Sequence, residues 1–367
     1  MAVTTTGSKI LARALKQQGV EVVFFIMGGP LGYAENACLA EGTRMIDVRH
    51  EQAAAMMAHA YSRLTNRPSV CMGASGPGTV NLVTGVANAF IDRAPVVAIG
   101  GSSAQGMLGM GDFQDIDQVA IFRPIVRWAD QVYDPRRIPE QVDAAFRNAF
   151  AATPGPVYLD LPGNVLHQSV DASEVHWIEP AGASPRPQGD PESVEQALEL
   201  LARPERPIVV SGSGIFWSDA AAELQAFVEQ AGIPLYTTPQ GRGAIPEDHH
   251  LCFLTSRSTA FRETDLIFLV GTRLNYIIGY GRAPRFSAEA KMIQVDIDAA
   301  EIGRTRSVDV GIVGDAKSVL SQFNKAAAGR LRQSRYADWV NHLAEIDSQK
   351  APAREKAMST DQTPIHP

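Results

Sequence analysis

Residues 45–55, Met-Ile-Asp-Val-Arg-His-Glu-Gln-Ala-Ala-Ala, decide the fold of the region around them. The short apolar run from Met45 to Val48 predicts a buried strand, and the alanine-rich residues behind it favour a helix. Glu51 stands on the first turn of that helix. An acidic residue there is ordinarily a cap favoured by the helix dipole. The alternative is catalytic, because a carboxylate in an apolar pocket can exchange a proton with a weakly basic ring nitrogen.

The alternation of strand and helix recurs on both sides of this stretch, and glycine-rich turns follow the strands. Val20 to Ile26 predicts a strand that leads into Gly28-Gly29-Pro30, a turn that can have a purely structural role. Ser69 to Ala74 predicts another strand, followed by Gly76-Pro77-Gly78, where the backbone can approach a ligand that side chains would block. Further strands are expected at residues 95–101 and 157–162. This alternation predicts a doubly wound parallel sheet, the α/β fold class.

A proline-rich stretch, residues 171–191, interrupts the alternation and is interpreted as a linker. We therefore expect one domain at residues 1–170, a second doubly wound domain at 192–330, and a tail at 331–367. Gly212-Ser213-Gly214 follows a predicted strand, as nucleotide-binding turns do, but lacks the complete dinucleotide fingerprint. Asp296 and Asp315 stand at strand ends, where a carboxylate accepts hydrogen bonds from a ribose or an adenine, or simply caps a helix.

Composition excludes several classes of function. With 367 residues and 45% hydrophobic residues, the chain can form two cores. A net charge of -7 without a long basic run argues against nucleic acid as a partner. Cys38, Cys71 and Cys252 lack metal-ligand spacing and lie in apolar stretches, as buried thiols of a cytoplasmic protein do, so neither a metal site nor a disulfide is predicted. No stretch has the roughly 18 uncharged apolar residues that membrane insertion requires, and no secretion signal is recognised.

Three motifs in this order resemble one known domain. Residues 49–54 (Arg-His-Glu-Gln-Ala-Ala), 75–79 (Ser-Gly-Pro-Gly-Thr) and 93–96 (Arg-Ala-Pro-Val) are similar to the pyrimidine-binding domain of thiamine diphosphate (ThDP) enzymes. The group comprises acetohydroxyacid synthases, oxalyl-CoA decarboxylases and 2-hydroxyacyl-CoA lyases, and the resemblance continues to about Ala327. It implies a ThDP-fold domain followed by a Rossmann-like middle domain. Glu51 matches the glutamate that hydrogen-bonds the aminopyrimidine ring and promotes deprotonation of the thiazolium ring.

The resemblance also implies the remaining site residues. Phe113-Gln114-Asp115 stands where the family has Phe-Gln-Glu, whose glutamine lines the active site, although a glutamine among glycines is ordinarily a solvated loop residue. The cofactor-binding candidates besides Glu51 are Gly28, Gly29, Pro30, Gly76, Gly78 and Asn81. In the middle domain, the relatives of Arg273, Asp296 and Asp315 surround an adenine nucleotide, which can be a flavin, ADP or part of coenzyme A. Gly212 and Gly214 join that nucleotide-binding set.

Some departures favour the branch of the family that handles coenzyme A. Arg273-Leu274-Asn275-Tyr276 and Leu161-Pro162-Gly163 resemble CoA-handling enzymes and 2-hydroxyacyl-CoA lyases, respectively, more than acetohydroxyacid synthases. Ser256-Arg257-Ser258 aligns with a CoA-binding Ala-Arg-Ser, so Arg257 either donates to a CoA phosphate or is a solvated loop arginine. Thr153 replaces an arginine that helps several relatives to hold ADP, which leaves ADP binding open.

The resemblance implies a lyase that cleaves a 2-hydroxyacyl-CoA to formyl-CoA and an aldehyde or ketone, with Glu51 driving cofactor activation and Gln114 donating to the substrate oxygen. Oxalyl-CoA decarboxylation and acetolactate synthesis are alternatives, and a non-catalytic nucleotide-binding subunit is an alternative of another class. The family's cofactor lies between subunits, so a second copy of the chain is an expected partner. Relatives bind Mg2+ through a Gly-Asp-Gly motif and a later asparagine. That pair is not found here, so the metal site is expected in a third domain absent from this chain, and the chain alone is expected to be inactive.

Overall fold

The computed structural model describes residues 3–180, 185–331 and 333–359, together with residues 361 and 363. The chain divides into two compact units, Met1–Ser184 and Pro185–Pro367. Each unit contains a parallel sheet with helices, which confirms the predicted α/β fold class. Residues 181–184 of the expected linker and residues 364–367 of the expected tail lie outside the described residues.

Within its described residues, 3–180, the first unit contains eight strands and eight α-helices. The strands are β1 (Thr4–Thr6), β2 (Val22–Phe25), β3 (Arg44–Asp47), β4 (Ser69–Gly73), β5 (Val96–Ser102), β6 (Trp128–Gln131), β7 (Val157–Pro162) and β8 (Ser169–Asp171). The helices are α1 (Gly7–Gln17), α2 (Gly32–Ala40), α3 (Glu51–Thr65), α4 (Pro77–Asn81), α5 (Val83–Asp92), α6 (Gln118–Phe122), α7 (Ile138–Phe150) and α8 (Gly163–His167). Six strands form a parallel sheet in the order β3-β2-β4-β5-β7-β6, and β1 pairs with β8 in a separate antiparallel ribbon.

The apolar strands lie at the centre of the six-stranded sheet. Every residue of β4, β5 and β7 is buried, as expected of parallel strands covered by helices on both faces. Helix α1 covers one face with Ile10, Leu11 and Leu15, which recur at helical spacing and are almost fully buried. Packing of the first unit continues into the stretch expected to be a linker, because Asp171 pairs with Thr4 and the following residues include a core side chain, Val175.

The part of the second unit that the structure describes contains five strands and six α-helices. The strands are β9 (Pro207–Ser211), β10 (Leu235–Thr237), β11 (Leu266–Val270), β12 (Lys291–Asp296) and β13 (Val310–Val313). The helices are α9 (Pro191–Leu201), α10 (Ser213–Trp217), α11 (Ala221–Ala231), α12 (Arg257–Glu263), α13 (Ala316–Ala326) and α14 (Ala337–Met358). All five strands are parallel, in the order β10-β9-β11-β12-β13.

Helix α14 occupies the stretch expected to be a tail and packs into the core of the second unit. Trp339 and Leu343 are buried in one of its apolar clusters. The indole Nε1 of Trp339 donates a hydrogen bond to the Pro207 carbonyl oxygen at 3.1 Å. The second unit therefore includes this helix.

Candidate active site

The candidate catalytic and cofactor-binding residues of the first unit follow the carboxyl ends of the strands of its parallel sheet. Gly28 follows β2, Glu51 follows β3, Gly76 follows β4 and Gln114 follows β5. Parallel strands place their carboxyl ends at one edge, which we call the carboxyl edge of the sheet. The strand order reverses between β2 and β4, and ligands of open α/β sheets bind at such reversals.

Glu51 is the first residue of α3, and its carboxylate has a defined partner. His50 caps the helix through Nδ1, which accepts a hydrogen bond from the Gln52 amide at 3.1 Å. Asn81 Nδ2 donates to Glu51 Oε2 at 3.0 Å. A Cβ atom at Gly78 would lie 3.1 Å from Glu51 Oε1, so the glycine keeps that oxygen accessible. Within a single chain Glu51 is half-buried, and the expected apolar pocket does not enclose it.

The Gly28-Gly29-Pro30 turn packs against the turn that follows β4. A Cβ atom at Gly28 would lie 2.5 Å from the Ala74 Cβ, so close packing requires glycine there. The Ser75 amide donates to the Gly29 carbonyl oxygen at 3.0 Å. Pro30 lies against Gly101 and Gly163, whereas a Cβ atom at Gly29 would meet no described atom within 4 Å. Gly28 and Pro30 are therefore packing positions, and Gly29 faces open space.

Gln114 lies beside the Gly76 turn, and its side-chain amide is hydrogen-bonded there. Its backbone has a φ of +58°, and Gly76 has a φ of +61°. A Cβ atom at Gly76 would lie 2.7 Å from the Gln114 Cβ, so this contact also requires glycine. Ser75 Oγ donates to Gln114 Oε1 at 3.0 Å. Because the carbonyl oxygen is engaged, the Nε2 group is the part of the amide that can donate to a ligand.

The sequence did not reveal a buried polar cluster behind the Gly76 turn. Asp160 lies in β7, is 1% exposed, and accepts hydrogen bonds from four neutral groups. These donors are Gln118 Nε2 at 2.7 Å, the Tyr158 hydroxyl at 2.6 Å, Ser102 Oγ at 2.5 Å and Gln131 Nε2 at 2.7 Å. Burial, together with the Asp160 carboxylate, raises the pKa of Tyr158 well above its ordinary value. The sequence signal that could have indicated this cluster is an aspartate, Asp160, within an otherwise apolar strand.

In the second unit, Gly212 and Gly214 lie where the strand order reverses between β9 and β11. A Cβ atom at Gly212 would lie 2.6 Å from the Gly271 carbonyl oxygen, and one at Gly214 would lie 2.6 Å from the Gly271 Cα. Both glycines therefore allow the turns after β9 and β11 to touch. Arg273, two residues beyond Gly271, is half-buried at the same reversal.

The two aspartates of the predicted nucleotide set accept hydrogen bonds from other groups of the second unit. Asp296 is 5% exposed, and its Oδ1 accepts from the Asp298 amide at 3.0 Å. Asp315 caps α13 by accepting from the Ser318 amide at 3.1 Å, and its Oδ2 accepts from Ser218 Oγ at 2.7 Å. The capping role that the sequence allowed for Asp315 is thus present in the structure.

The hydrogen-bonding groups of Ser256 are engaged within the protein, whereas those of Arg257 include unsatisfied donors among the described residues. Ser256 is fully buried, its amide donates to Asp347 Oδ1 at 2.6 Å, and its hydroxyl shares a hydrogen bond with Tyr236 at 3.0 Å. The Asp347 carboxylate also accepts from the amides of Leu254 and Thr255.

The Arg257 guanidinium lies 5.2 Å from the centre of the Phe261 ring. Its Nε and Nη2 atoms are buried without a hydrogen-bond partner in the described residues. Burial, followed by repulsion from Arg285, lowers the pKa of Arg257. The unsatisfied donors of Arg257, with the positive charge of Arg285 beside them, form a place suited to an anion. Arg285 had no recognisable motif in the sequence.

Neither a metal-ligand cluster nor a bilayer-spanning helix occurs among the described residues. No group of three or more His, Cys, Asp or Glu side chains there is arranged to hold a metal ion. Among the helices of the described ranges, none has the length and apolar character needed to cross a bilayer.

Both units match models of known domains. Residues 5–121 match the model described as thiamine pyrophosphate enzyme, N-terminal TPP binding domain. Residues 194–323 match the model described as thiamine pyrophosphate enzyme, central domain. Thiamine pyrophosphate (TPP) and ThDP are the same compound. The first match covers Glu51 and Gln114, and the second covers Arg257 and Asp315.

Three similar proteins carry three different activities in their names. The chain is 35% identical over 329 residues to the 2-hydroxyacyl-CoA lyase of Arabidopsis thaliana, covering 87% of this chain and 56% of that protein. It is 35% identical over 371 residues to a probable acetolactate synthase large subunit of Methanocaldococcus jannaschii, covering 98% and 62%. It is 32% identical over 369 residues to the oxalyl-CoA decarboxylase of Escherichia coli, covering 99% and 64%. The chain thus spans about 60% of the length of these relatives.

Proposed function

Because the chain belongs to the thiamine pyrophosphate enzyme family and carries its N-terminal and central domains, we propose that it is part of a ThDP-dependent carbon-carbon lyase. The proposed reaction cleaves a 2-hydroxyacyl-CoA to formyl-CoA and an aldehyde or ketone. The observation that carries the proposal is the Glu51 carboxylate at the carboxyl edge, bonded to Asn81 and kept accessible by Gly78.

The residues of the first unit fit the aminopyrimidine half of the cofactor. Gly29 and Gly78 leave space that a Cβ atom would fill, next to a carboxylate that can share a proton with a ring nitrogen. Asn81 fixes the orientation of that carboxylate. When bound, ThDP supplies the nucleophilic carbon and the electron sink. Gln114 Nε2 would donate to the substrate oxygen, because Ser75 already engages Oε1.

The second unit is proposed to hold the nucleotide part of coenzyme A. Arg257 supports this role because two of its guanidinium nitrogens are buried without a partner among the described residues, and Arg285 adds positive charge beside it. Arg273 and the touching turns at Gly212 and Gly214 lie at the strand-order reversal, where a nucleotide would bind. ADP is an alternative occupant of this unit. The Ser256 amide and hydroxyl are engaged internally, so Arg257 is the stronger phosphate ligand of the two.

Mg2+ is proposed as the ion that neutralises the cofactor diphosphate, through ligands outside this sequence. The sequence contains no Gly-Asp-Gly motif for such an ion. We infer that a diphosphate-binding domain must complement this chain. A second copy of the chain is the proposed partner in that assembly.

The test uses the assembled enzyme, in which a diphosphate-binding domain complements this chain. Incubation with a series of 2-hydroxyacyl-CoA esters, with oxalyl-CoA and with pyruvate is followed by product analysis. Formyl-CoA together with an aldehyde or ketone supports the proposal. Carbon dioxide with formyl-CoA from oxalyl-CoA alone, or acetolactate from pyruvate alone, would replace it by one of the other two activities found among the relatives.

A further inference from the structure

Among the described residues, the buried Asp160 carboxylate has no charged partner. It is 1% exposed, and no Lys, Arg or His of the described ranges forms an ion pair with it. Burying an ionised carboxylate is costly unless its lone pairs are all satisfied. The four donors around Asp160 satisfy them, two on each oxygen. The arrangement therefore holds these four side chains in fixed orientations.

Gln118 connects this carboxylate to the Gly76 turn. Its Nε2 group donates to Asp160 Oδ1 at 2.7 Å and to the Gly101 carbonyl oxygen at 2.9 Å. Reversing the amide would place its oxygen against the carboxylate, so only one orientation is favourable. In that orientation Gln118 Oε1 accepts a hydrogen bond from the Gly76 amide at 2.5 Å.

Gly76 is in turn adjacent to the residues proposed to bind cofactor and substrate. Its Cα packs on Gln114, and Ser75 beside it donates to Gln114 Oε1. Two residues further on, Gly78 faces the Glu51 carboxylate. A shift of the Gly76 amide would therefore move both the Gln114 donor and the backbone opposite Glu51.

We propose that Gln118 and Asp160 are positioning residues: Asp160 fixes the amide of Gln118, and Gln118 holds the Ser75–Gly78 turn in register with Glu51 and Gln114. The claim that Gln118 holds the Gly76 amide does not depend on which ligand the protein binds. The claim that this affects ThDP binding rests on the proposed function.

Two matched substitutions distinguish a positioning role of Gln118 from a general contribution to stability. Gln118→Met removes the amide that binds both Asp160 and Gly76. Gln131→Met removes a donor from the other oxygen of the same carboxylate without touching Gly76. Both should lower the melting temperature, since each leaves Asp160 with one donor fewer. Hydrogen exchange of the Gly76 amide is measured by NMR in the 367-residue chain, and ThDP affinity is measured by titration in the assembled enzyme.

For Gln118→Met we expect Gly76 exchange to accelerate and ThDP affinity to fall, each by about tenfold, the usual effect of one lost hydrogen bond. Gln131→Met should leave both values within about twofold. Unchanged Gly76 exchange in Gln118→Met, or equal acceleration in both variants, would overturn the inference. If exchange accelerates but the wild-type assembly does not bind ThDP, the positioning stands and the proposed function fails.

A third variant, Gln118→Glu, tests whether a side chain of the same shape that can both donate and accept a hydrogen bond restores protection of the Gly76 amide. A protonated carboxyl at this position can donate to Asp160 and accept from Gly76, whereas an ionised one faces the Asp160 carboxylate and loses the donor. The titratable groups that face it are Asp160 and Tyr158. We expect the Gly76 protection factor of this variant to approach the wild-type value at low pH and to fall as pH rises. A protection factor that is independent of pH in the variant would contradict the proposed role of the amide.

Discussion

At the residue scale, motif and contact agree for Glu51 but not for every candidate. The structure brings Glu51 next to Gly78 and to Asn81, which is 30 residues further along the chain, and the order of motifs selected all three. Gln118 was not selected because nothing in its local sequence distinguishes it from a solvated loop residue. Its burial depends on Asp160, 42 residues away. Contacts of that range arise from the tertiary fold.

Replacing Glu51 by Gln should abolish most of the turnover of the assembled enzyme. The amide keeps the hydrogen-bonding shape but cannot exchange a proton, so we expect a loss of about 100-fold or more in kcat. Steady-state rates at saturating ThDP measure this, with the melting temperature as the folding control. A rate within a few-fold of wild type would favour a non-catalytic, nucleotide-binding subunit.

Replacing Arg257 by Ala should weaken binding of coenzyme A to the 367-residue chain by about tenfold or more, because a charge-assisted phosphate contact is lost. Isothermal titration calorimetry measures the affinity. Arg262→Ala is the matched control, since Arg262 lies exposed on the same helix, α12. Equal losses in the two variants would indicate only a general electrostatic effect.

Glu35 in α2 should make stability depend on pH. It is 2% exposed, neither carboxyl oxygen has a hydrogen-bond partner in the described residues, and burial, with a contribution from Asp47, raises the pKa of Glu35 to about 8. The folded state then binds a proton that the unfolded state releases above the ordinary glutamate pKa of 4.5. The stabilisation is therefore complete below that value and is lost as pH rises towards 8.

Glu35→Gln should remove this pH dependence and raise the free energy of unfolding at pH 8, relative to wild type, by at least about 1 kcal/mol. Urea unfolding at pH 5 and pH 8 measures it. Glu41→Gln changes an exposed acid at the end of the same helix and should leave the pH dependence of the unfolding free energy as in the wild type. If Glu35→Gln keeps the wild-type pH dependence of the unfolding free energy, Glu35 is not its cause.

At the scale of elements, strands with an apolar run were predictable, even at the edge of a sheet, and strands without one were not. The strand predicted at Met45 to Val48 appears as Arg44–Asp47, but it is an edge strand with half-buried and exposed residues and not the buried strand expected. The strand predicted at residues 157–162 has those bounds. β6 was missed because it is a half-buried edge strand without an apolar run, and β1 and β8 because each has only three residues. Such strands depend on their pairing partners more than on local propensity.

Asp315→Ala should destabilise the second unit by about 1–2 kcal/mol, the usual cost of removing a helix N-cap. Its carboxylate also binds Ser218, which places the loss near the upper end of that range. Chemical unfolding measures this loss. The control is Asp298→Ala, which removes the N-cap of a short 3-10 helix, Ala299–Glu301, and should cost less. If Asp315→Ala weakens nucleotide affinity without a change in stability, the residue is a ligand and its capping bond contributes little.

At the scale of the whole molecule, the two domain models and the motif order agree, which confirms the family resemblance. The sequence also indicated two units from the proline-rich stretch between them. It could not place the end of the first unit, because Val175 is fixed by long-range packing. The choice among lyase, decarboxylase and synthase is not resolved by identity, since relatives with all three names are 32–35% identical.

The purified 367-residue chain should bind ThDP weakly and show no turnover with acyl-CoA esters. The reason is that the cofactor's diphosphate needs a metal-binding motif that the sequence does not contain. Calorimetry with ThDP and Mg2+, followed by product analysis, measures both properties. Addition of a diphosphate-binding domain from a relative is the positive control, and turnover by the chain alone would contradict the expectation.

The carboxylate of Asp347 accepts hydrogen bonds from three successive amides, Leu254 to Ser256, and Lys350 donates to the Thr255 carbonyl oxygen at 2.9 Å. Helix α14 thereby fastens the loop that precedes Arg257. A shortened gene product that stops near residue 330 would lack this fastening and the Trp339 anchor. Efforts to produce the second unit separately, for crystallisation or ligand screening, should therefore keep α14 to its end at Met358.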